Sequence, residues 1–97
     1  AFMAKSIPSS GAGAVRIILK NKDAFHFDLR EKKEENGKVS YLFDVYYENT
    51  TGTLNVLMEN NEPVIAALNL SLGKVITLSN DTNLKKLCNY VVDQVNA

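Results

Sequence analysis

The chain has 97 residues, of which 45% are apolar and 23% charged, and its 11 basic and 11 acidic side chains cancel. This length allows one domain, and the composition is ordinary for a globular protein. A neutral chain lacks the general attraction that holds a protein on nucleic acid or on an anionic membrane, unless its charges are segregated. A single cysteine excludes an internal disulfide framework, and no apolar run approaches the roughly 20 residues that span a bilayer.

The N-terminal segment differs in composition from the rest of the chain. Residues 6–14 are rich in Ser and Gly, a composition typical of flexible segments. The start of the chain lacks the basic region and apolar stretch of a signal peptide. We therefore expect a flexible leader over residues 1–14, a single domain over residues 15–97 and a cytoplasmic location.

Several segments alternate apolar and polar residues with a period of two, which is the pattern of half-buried antiparallel strands. The clear cases are residues 15–20, 24–30, 39–48 and 53–59. Residues 68–72 alternate as well, which favours a fifth strand within residues 63–72, although residues 61–63 are also compatible with the start of a helix. Residues 74–79, with β-branched side chains at 75–77, indicate a sixth strand.

The short loops predicted between these strands all place the apolar side chains on the same face of the sheet. A slip of one residue would turn a whole strand over, so each loop must place core residues opposite core residues. The pairs predicted from loops at 21–23, 35–37 and 49–52 are Leu19 with Phe25, Phe27 with Val45, Leu29 with Phe43, Tyr47 with Leu54, and Val45 with Val56. Gly37 is predicted to take the left-handed position of the second loop.

The C-terminal segment changes to a helical period. Its apolar residues recur every three or four positions and form one stripe, which comprises Leu84, Leu87, Cys88, Val91, Val92 and Val95. Ser79, Asn80 and Asp81 are each able to cap this helix. Because the stripe must pack against the apolar sheet face, we predict an α+β fold in which an antiparallel β-meander of five to six strands packs on one C-terminal α-helix.

Side chains that support catalysis or metal binding are sparse. Cys88 lies on the predicted buried stripe, where a thiol is inert, and His26 is the only histidine. Without a second histidine or a Cys-x-x-Cys motif, neither a zinc site nor a Cys/His hydrolase is expected. An open sheet face offers no pocket for an acid–base pair, and no Gly-rich phosphate loop is present. We therefore predict no enzymatic activity, no cofactor and no metal site.

The face of the sheet turned away from the helix, called the outer face below, mixes polar and apolar side chains. The predicted register places Asp28 directly opposite Asp44, a like-charge pair that needs a nearby cation. A contiguous apolar group on an exposed face indicates a contacting surface, whereas a solvated mosaic of charges is the simpler interpretation. The predicted binding residues are Arg16, Ile18, His26, Asp28, Arg30, Leu42, Asp44, Tyr46 and Leu57.

Three functions from different classes fit this pattern. The first is a small non-catalytic protein-interaction module (an inhibitor, immunity-type or adaptor protein) that binds a protein partner or a second copy through the outer face. The second is a single-stranded nucleic-acid-binding domain, because the layout alone resembles small sheet domains that stack bases on aromatic side chains. His26 and Tyr46 would stack the bases beside Arg16 and Arg30, but zero net charge disfavours this function. The third is a carrier of an apolar ligand between sheet and helix.

Overall fold

The computed structural model describes residues 14–70 and 75–97. Its elements are helix α1 (Ala14–Lys20), a 3-10 turn (Lys22–Ala24), strands β1 (Phe25–Glu35), β2 (Lys38–Tyr47), β3 (Thr50–Glu59), β4 (Glu62–Leu70) and β5 (Val75–Thr77), and helix α2 (Asn83–Asn96). Within the described residues the strands form one five-stranded antiparallel sheet in sequence order. The predicted α+β meander with a packed C-terminal helix is therefore confirmed. Residues 1–13 of the predicted leader lie outside the described residues.

The core lies between one face of the sheet, called the inner face, and the two helices. The sheet contributes Phe25, Tyr41, Phe43, Val45, Tyr47, Leu54, Val56, Met58, Ala66, Leu68, Leu70 and Ile76. The predicted stripe of α2 contributes Leu84, Leu87, Cys88, Val91 and Val92. The alternation in β2 and β3 thus points the predicted side chains inward, and each large apolar side chain buried in this way stabilises the fold by about 1.5–3 kcal/mol.

The N-cap residue of α2 is Thr82, whose side chain makes no capping hydrogen bond, so the prediction that residue 79, 80 or 81 is the N-cap is wrong. Asp81 nevertheless accepts two hydrogen bonds from the first residues of the helix. Oδ1 of Asp81 accepts a hydrogen bond from the backbone N–H of Asn83 at 2.9 Å, and the backbone oxygen of Asp81 accepts one from Leu84 at 3.1 Å. Asn80 acts one turn earlier, because its Oδ1 accepts the backbone N–H of Thr77 at 3.1 Å. Asp81 therefore fixes the start of α2, and Asn80 fixes the end of β5.

The prediction that residues 15–20 form the first strand is wrong, because they form α1. Ala14, Val15 and Ile18 are buried on one side of this helix, and so short an apolar run fits both periods. The sheet decides between them. The 14 residues of α2 extend about 21 Å, whereas a ten-residue strand such as β2 extends about 33 Å. A second helix beside α2 covers a further part of the inner face.

This correction also removes the first predicted hairpin. Leu19 does not pair with Phe25, and the predicted loop at 21–23 instead leads through the 3-10 turn into β1, which is an edge strand paired only with β2 among the described residues. The sheet therefore begins at Phe25 rather than at residue 15.

The β1–β2 hairpin keeps its predicted pairing but has a shorter turn. The pairs Phe27 with Val45 and Leu29 with Phe43 are confirmed. The turn consists of Asn36 and Gly37, with φ angles of 53° and 79°, as in a type I′ turn. Glu35, which was predicted to belong to a three-residue loop, is the last residue of β1, and the extra residue is instead Arg30, which forms a β-bulge between Leu29 and Glu31. An extra residue in the loop and an extra residue in the strand shift the register by the same amount. The pairs between the start of β1 and the bulge are therefore the same in both cases.

The predicted register of β2 against β3 is wrong by four residues. Phe43 lies opposite Leu54, and the turn is formed by Glu48 and Asn49 rather than by residues 49–52. Gly52 lies inside β3, where a side chain would collide with the backbone of Asn69 on β4. Gly52 therefore allows the backbones of β3 and β4 to approach closely and does not form a turn. Because four is an even number, the same side chains still face the core.

The segment that allowed two interpretations, residues 63–72, is a strand as far as the structure describes it. β4 covers Glu62–Leu70, and a bulge at Val64 shifts its register against β3 between Leu57 and Met58. Pro63 precedes this bulge, a position that tolerates the missing backbone N–H. The predicted sixth strand is the short β5, which pairs only with residues 67–69 of β4.

The role of α1 in the core can be tested by truncating Ile18, which is fully buried. We expect Ile18→Ala to lower the free energy of unfolding by about 2–4 kcal/mol, because it leaves a cavity between α1 and the sheet. Arg16→Ala on the exposed side of the same helix is the control and should change it by less than about 0.5 kcal/mol. Urea denaturation followed by circular dichroism measures both. Equal effects would contradict the packing of α1 in the core.

Candidate functional site

Both helices pack on the inner face, so the outer face carries the candidate site. Buried residues of α1 and α2 belong to the same core cluster as the inner-facing residues of the strands. None of the described elements covers the outer face. Ile65 on β4 is 63% exposed and Val75 on β5 is 52% exposed, so apolar side chains on this face contact solvent.

At one end of the outer face, β1 and β2 bring the predicted polar residues together. His26 lies opposite Tyr46, and Asp28 lies opposite Asp44, as predicted. Nε of Arg30 lies 3.6 Å from Oδ2 of Asp44, which supplies the cation that the two carboxylates need. All three charged side chains are substantially accessible to water, so this ion pair contributes little to stability. The like-charge repulsion is only partly offset.

Two of the predicted site residues do not join this group. Ile18 is fully buried in the core, and Arg16 is exposed on α1, on the helix side of the sheet. Both errors follow from assigning residues 15–20 to a strand. The predicted residues that the structure places on or beside the outer face are His26, Asp28, Arg30, Leu42, Asp44, Tyr46 and Leu57.

The structure adds apolar residues from β4 and β5 that the sequence did not identify. Leu57 lies opposite Ile65, and Asn55 lies opposite Ala67, while Val75 pairs with Asn69 on the far side of β4. A shallow depression of about 220 Å³ opens beside Leu57 and Ile65. The resulting group, called the apolar band below, comprises Leu42, Leu57, Ile65, Ala67 and Val75.

The other end of the outer face is rich in charge of both signs. The bulge at Arg30 reverses the alternation of β1, so that Lys33 and Glu31 point to this face, with Lys33 Nζ lying 3.3 Å from Glu31 Oε2. Glu35 lies opposite Lys38, which in turn lies opposite Glu59 on β3. The apolar band therefore lies between an end with two opposed aspartates and an end that carries both lysines and glutamates.

The one thiol of the chain is unsuited to nucleophilic chemistry. Cys88 is fully buried on α2, and desolvation by burial raises its pKa from 9.0 to about 12. At neutral pH it is a protonated apolar side chain. The parts of the chain that the structure describes contain no group of three or more His, Cys, Asp or Glu residues placed to hold a metal ion.

A second concave surface lies between the C-terminal part of α2 and the hairpin turns. This groove has a volume of about 460 Å³, with Val39, Met58 and Val92 among its apolar lining and Asn60 and Asp93 among its polar lining. Nδ2 of Asn96 donates a hydrogen bond to the hydroxyl of Tyr41 at 3.0 Å. The mixed lining makes it a wet groove rather than an apolar cavity.

Comparison of the chain with protein-family models, with curated proteins and with solved structures found no match. None of the helices in residues 14–70 and 75–97 is long and apolar enough to cross a membrane. The functional assignment therefore depends on the geometry of the surfaces described above.

The protection of Cys88 gives a direct chemical test. Its thiolate fraction at pH 8 is lower in the folded protein, with a pKa of about 12, than in a chain with a pKa of 9.0, by a factor of about a thousand. We expect alkylation by iodoacetamide to be slower by at least this factor, as followed by intact mass. The same shift stabilises the folded state below pH 9, and this contribution is lost as the pH rises from 9 toward 12. Alkylation at the rate of the urea-unfolded chain would contradict the burial.

The carboxylate pair predicts a gain in stability on neutralisation. Asp28→Asn removes the like charge opposite Asp44 and should raise the free energy of unfolding by about 0.2–1 kcal/mol. The gain should shrink in 1 M NaCl, because salt screens exposed charges. Glu34→Gln, at an exposed position on β1 opposite the uncharged Val39, is the control and should have little effect. A destabilised Asp28→Asn variant would show that the two carboxylates are not in opposition.

Proposed function

We propose that this chain is a small non-catalytic protein-interaction module that binds its partner through the outer face of the sheet. The observation that carries the proposal is the apolar band, which no described element covers. Ile65, at 63% exposure, lies opposite half-buried Leu57, and Val75, at 52% exposure, lies on the same face beyond Ala67. A contiguous apolar group of this kind marks an interaction site more often than isolated surface residues do.

The arrangement of polarity on the outer face also supports a protein partner. Protein interfaces have an apolar centre surrounded by a polar rim, and here charged residues lie at both ends of the apolar band. Tyr46, which is 41% exposed, adds an aromatic side chain of the type that is enriched at binding hot spots. The buried thiol of Cys88 and the open form of the face support a function without catalysis.

The alternative of single-stranded nucleic-acid binding has less support. Arg16 lies on α1, and Asp28 and Asp44 lie beside the His26–Tyr46 pair. Two carboxylates next to the stacking side chains would repel phosphates, and one arginine does not supply the basic groove that single-stranded binding uses.

The alternative of an apolar-ligand carrier also has less support. Phe43, Tyr47, Leu54 and Leu84 are fully buried between the sheet and the helices, so a ligand there would have to displace close-packed side chains. The wet groove at the end of α2 suits a small polar molecule better than a lipid.

The proposal is tested by substituting two exposed apolar residues that lie on opposite faces. Ile65 lies on the outer face at 63% exposure, and Leu29 aligns with the inner face at 41% exposure. We expect Ile65→Ser to weaken partner binding at least tenfold, because it removes the exposed apolar area that Ile65 contributes to the apolar band. Leu29→Ser should bind as the wild type does. Affinity capture from the native source with quantitative mass spectrometry identifies the partner, and calorimetry with that partner measures the change.

Further measurements distinguish the alternatives. Both variants should melt close to the wild-type temperature, because both side chains are exposed. Equal binding of Ile65→Ser and wild type to every captured protein would contradict the proposal. A salt-dependent gel shift with oligonucleotides would favour the nucleic-acid alternative, and a lipid retained in native mass spectrometry would favour the carrier.

A further inference from the structure

We propose that Asn36, in the turn of the β1–β2 hairpin, is a site of spontaneous deamidation that the folded turn keeps inactive. Water is the only reactant besides the chain itself. The reaction proceeds when the tip of the hairpin, residues 35–38, opens locally. Three features of the tip support this: the residue that follows Asn36, the backbone angles of the turn, and the exposure of the strand ends.

Asn36 is the only asparagine of the chain that is followed by a glycine. In deamidation the backbone nitrogen of Gly37 loses its proton to solvent base and attacks Cγ of Asn36. The Cγ–Nδ2 bond breaks, and the amide nitrogen takes a proton from water and leaves as ammonia. Water then opens the resulting five-membered succinimide ring and gives either aspartate or isoaspartate. Glycine leaves the attacking nitrogen unobstructed, because it has no side chain.

The backbone angles of the turn keep this ring from closing. The φ angles of Asn36 and Gly37 are 53° and 79°, and the first central residue of a type I′ turn has a ψ of about 30°. At this ψ, Cβ of Asn36 and the nitrogen of Gly37 point in nearly opposite directions about the bond from Cα to the carbonyl carbon. The ring requires both atoms on the same side of that bond. The turn must therefore open before the nitrogen can reach Cγ.

The tip of the hairpin is the part of the sheet that can open most easily. Residues 28–38 are all exposed, and among the described residues β1 is an edge strand with β2 as its one neighbour. Segments with few buried contacts open locally at a smaller free-energy cost than complete unfolding. We therefore expect the folded chain to deamidate through local opening of the tip.

The β3–β4 turn supplies an internal control. It is formed by Asn60 and Asn61, with φ angles of 54° and 66°, and both residues are exposed. Here the residue that supplies the attacking nitrogen carries a side chain, which obstructs the approach to Cγ. Asn60 should therefore deamidate more slowly than Asn36 when both turns are open.

The isoaspartate product no longer fits the hairpin. Its main chain runs through Cβ, so the turn gains one backbone atom, whereas the length of the loop fixes the register of the strands. Asn36→Asp is the matched control, because it carries the same negative charge on an unaltered backbone, and Asp-Gly is a favoured sequence for this turn. We expect the isoaspartyl form to unfold at a lower guanidinium concentration than Asn36→Asp.

Incubation of the full chain at mildly alkaline pH, followed by peptide mapping with mass spectrometry, tests the site and its protection. In guanidinium chloride Asn36 should deamidate at least about tenfold faster than in the folded chain, and faster than Asn60 in the same unfolded sample. Equal rates at Asn36 in the folded and unfolded chains would overturn the protection by the turn. A rate in the unfolded chain no greater than that of Asn60 would overturn the site itself.

A pair of variants at Lys38 tests the local opening. In a turn of this type, residue 38 donates its backbone N–H to the carbonyl oxygen of residue 35, and Lys38→Pro removes this donor. We expect it to accelerate deamidation of Asn36 severalfold and to leave Asn60 unchanged. Lys38→Ala keeps the N–H and should react as the wild type does. Circular dichroism establishes that both variants are folded, and equal rates in the two folded variants would overturn local opening.

Low concentrations of guanidinium chloride, below the unfolding transition, give a second measurement on the wild type. Local opening exposes little surface, so the rate at Asn36 should change little over this range. A rate that rises in proportion to the globally unfolded fraction would overturn the local route.

Discussion

Burial of the inner face is the constraint on which the rest of this structure depends. A sheet with strands of nine to eleven residues presents more apolar surface than α2 alone covers. Helix α1 supplies the additional cover, and the side-chain amide of Asn21, directly after α1, donates a hydrogen bond to the hydroxyl of Tyr47 at 3.2 Å. The end of α1 is thereby tied to a buried tyrosine of β2, whose hydroxyl gains a polar partner.

The aromatic side chains join the sheet to both helical regions. Phe27 packs edge-on against Phe43 and against Tyr90 of α2, with ring centroids 6.0 Å apart in each case. Nζ of Lys22, in the 3-10 turn, lies 4.9 Å from the centroid of the Tyr90 ring, a cation–π contact. All of this packing lies on one side of the sheet. A five-stranded sheet that satisfies its core on one face has a second face free for another role.

The alternation of apolar and polar residues predicted which face of the sheet each side chain lies on better than it predicted which residues of neighbouring strands pair. The inward direction of Phe43 and Leu54 followed from parity alone, and it survived a register error of four residues between β2 and β3. The pairing itself depends on where extra residues lie, and a bulge such as that at Arg30 has no clear signal in a single sequence. Gly52 misled because glycine serves both turns and close strand contacts. Ile18 was misplaced for a different reason. A short apolar run is compatible with both a helix and a strand, and here a helix forms because the inner face of the sheet needs further cover. The missed half of the candidate site, Ile65 with Val75, belongs to the strands whose register the sequence left open.

The free edges of the sheet carry features that oppose association through an edge strand. An open edge strand offers unpaired backbone groups to any other strand, and proteins suppress this pairing with charges, prolines and bulges. β1 carries alternating blocks of charge from Arg30 to Glu35 and a bulge in its middle. The early part of β4, beyond the reach of β5, has Pro63 followed by a bulge at Val64. β1 and the early part of β4 therefore have features that oppose strand addition, whereas the outer face carries the apolar band.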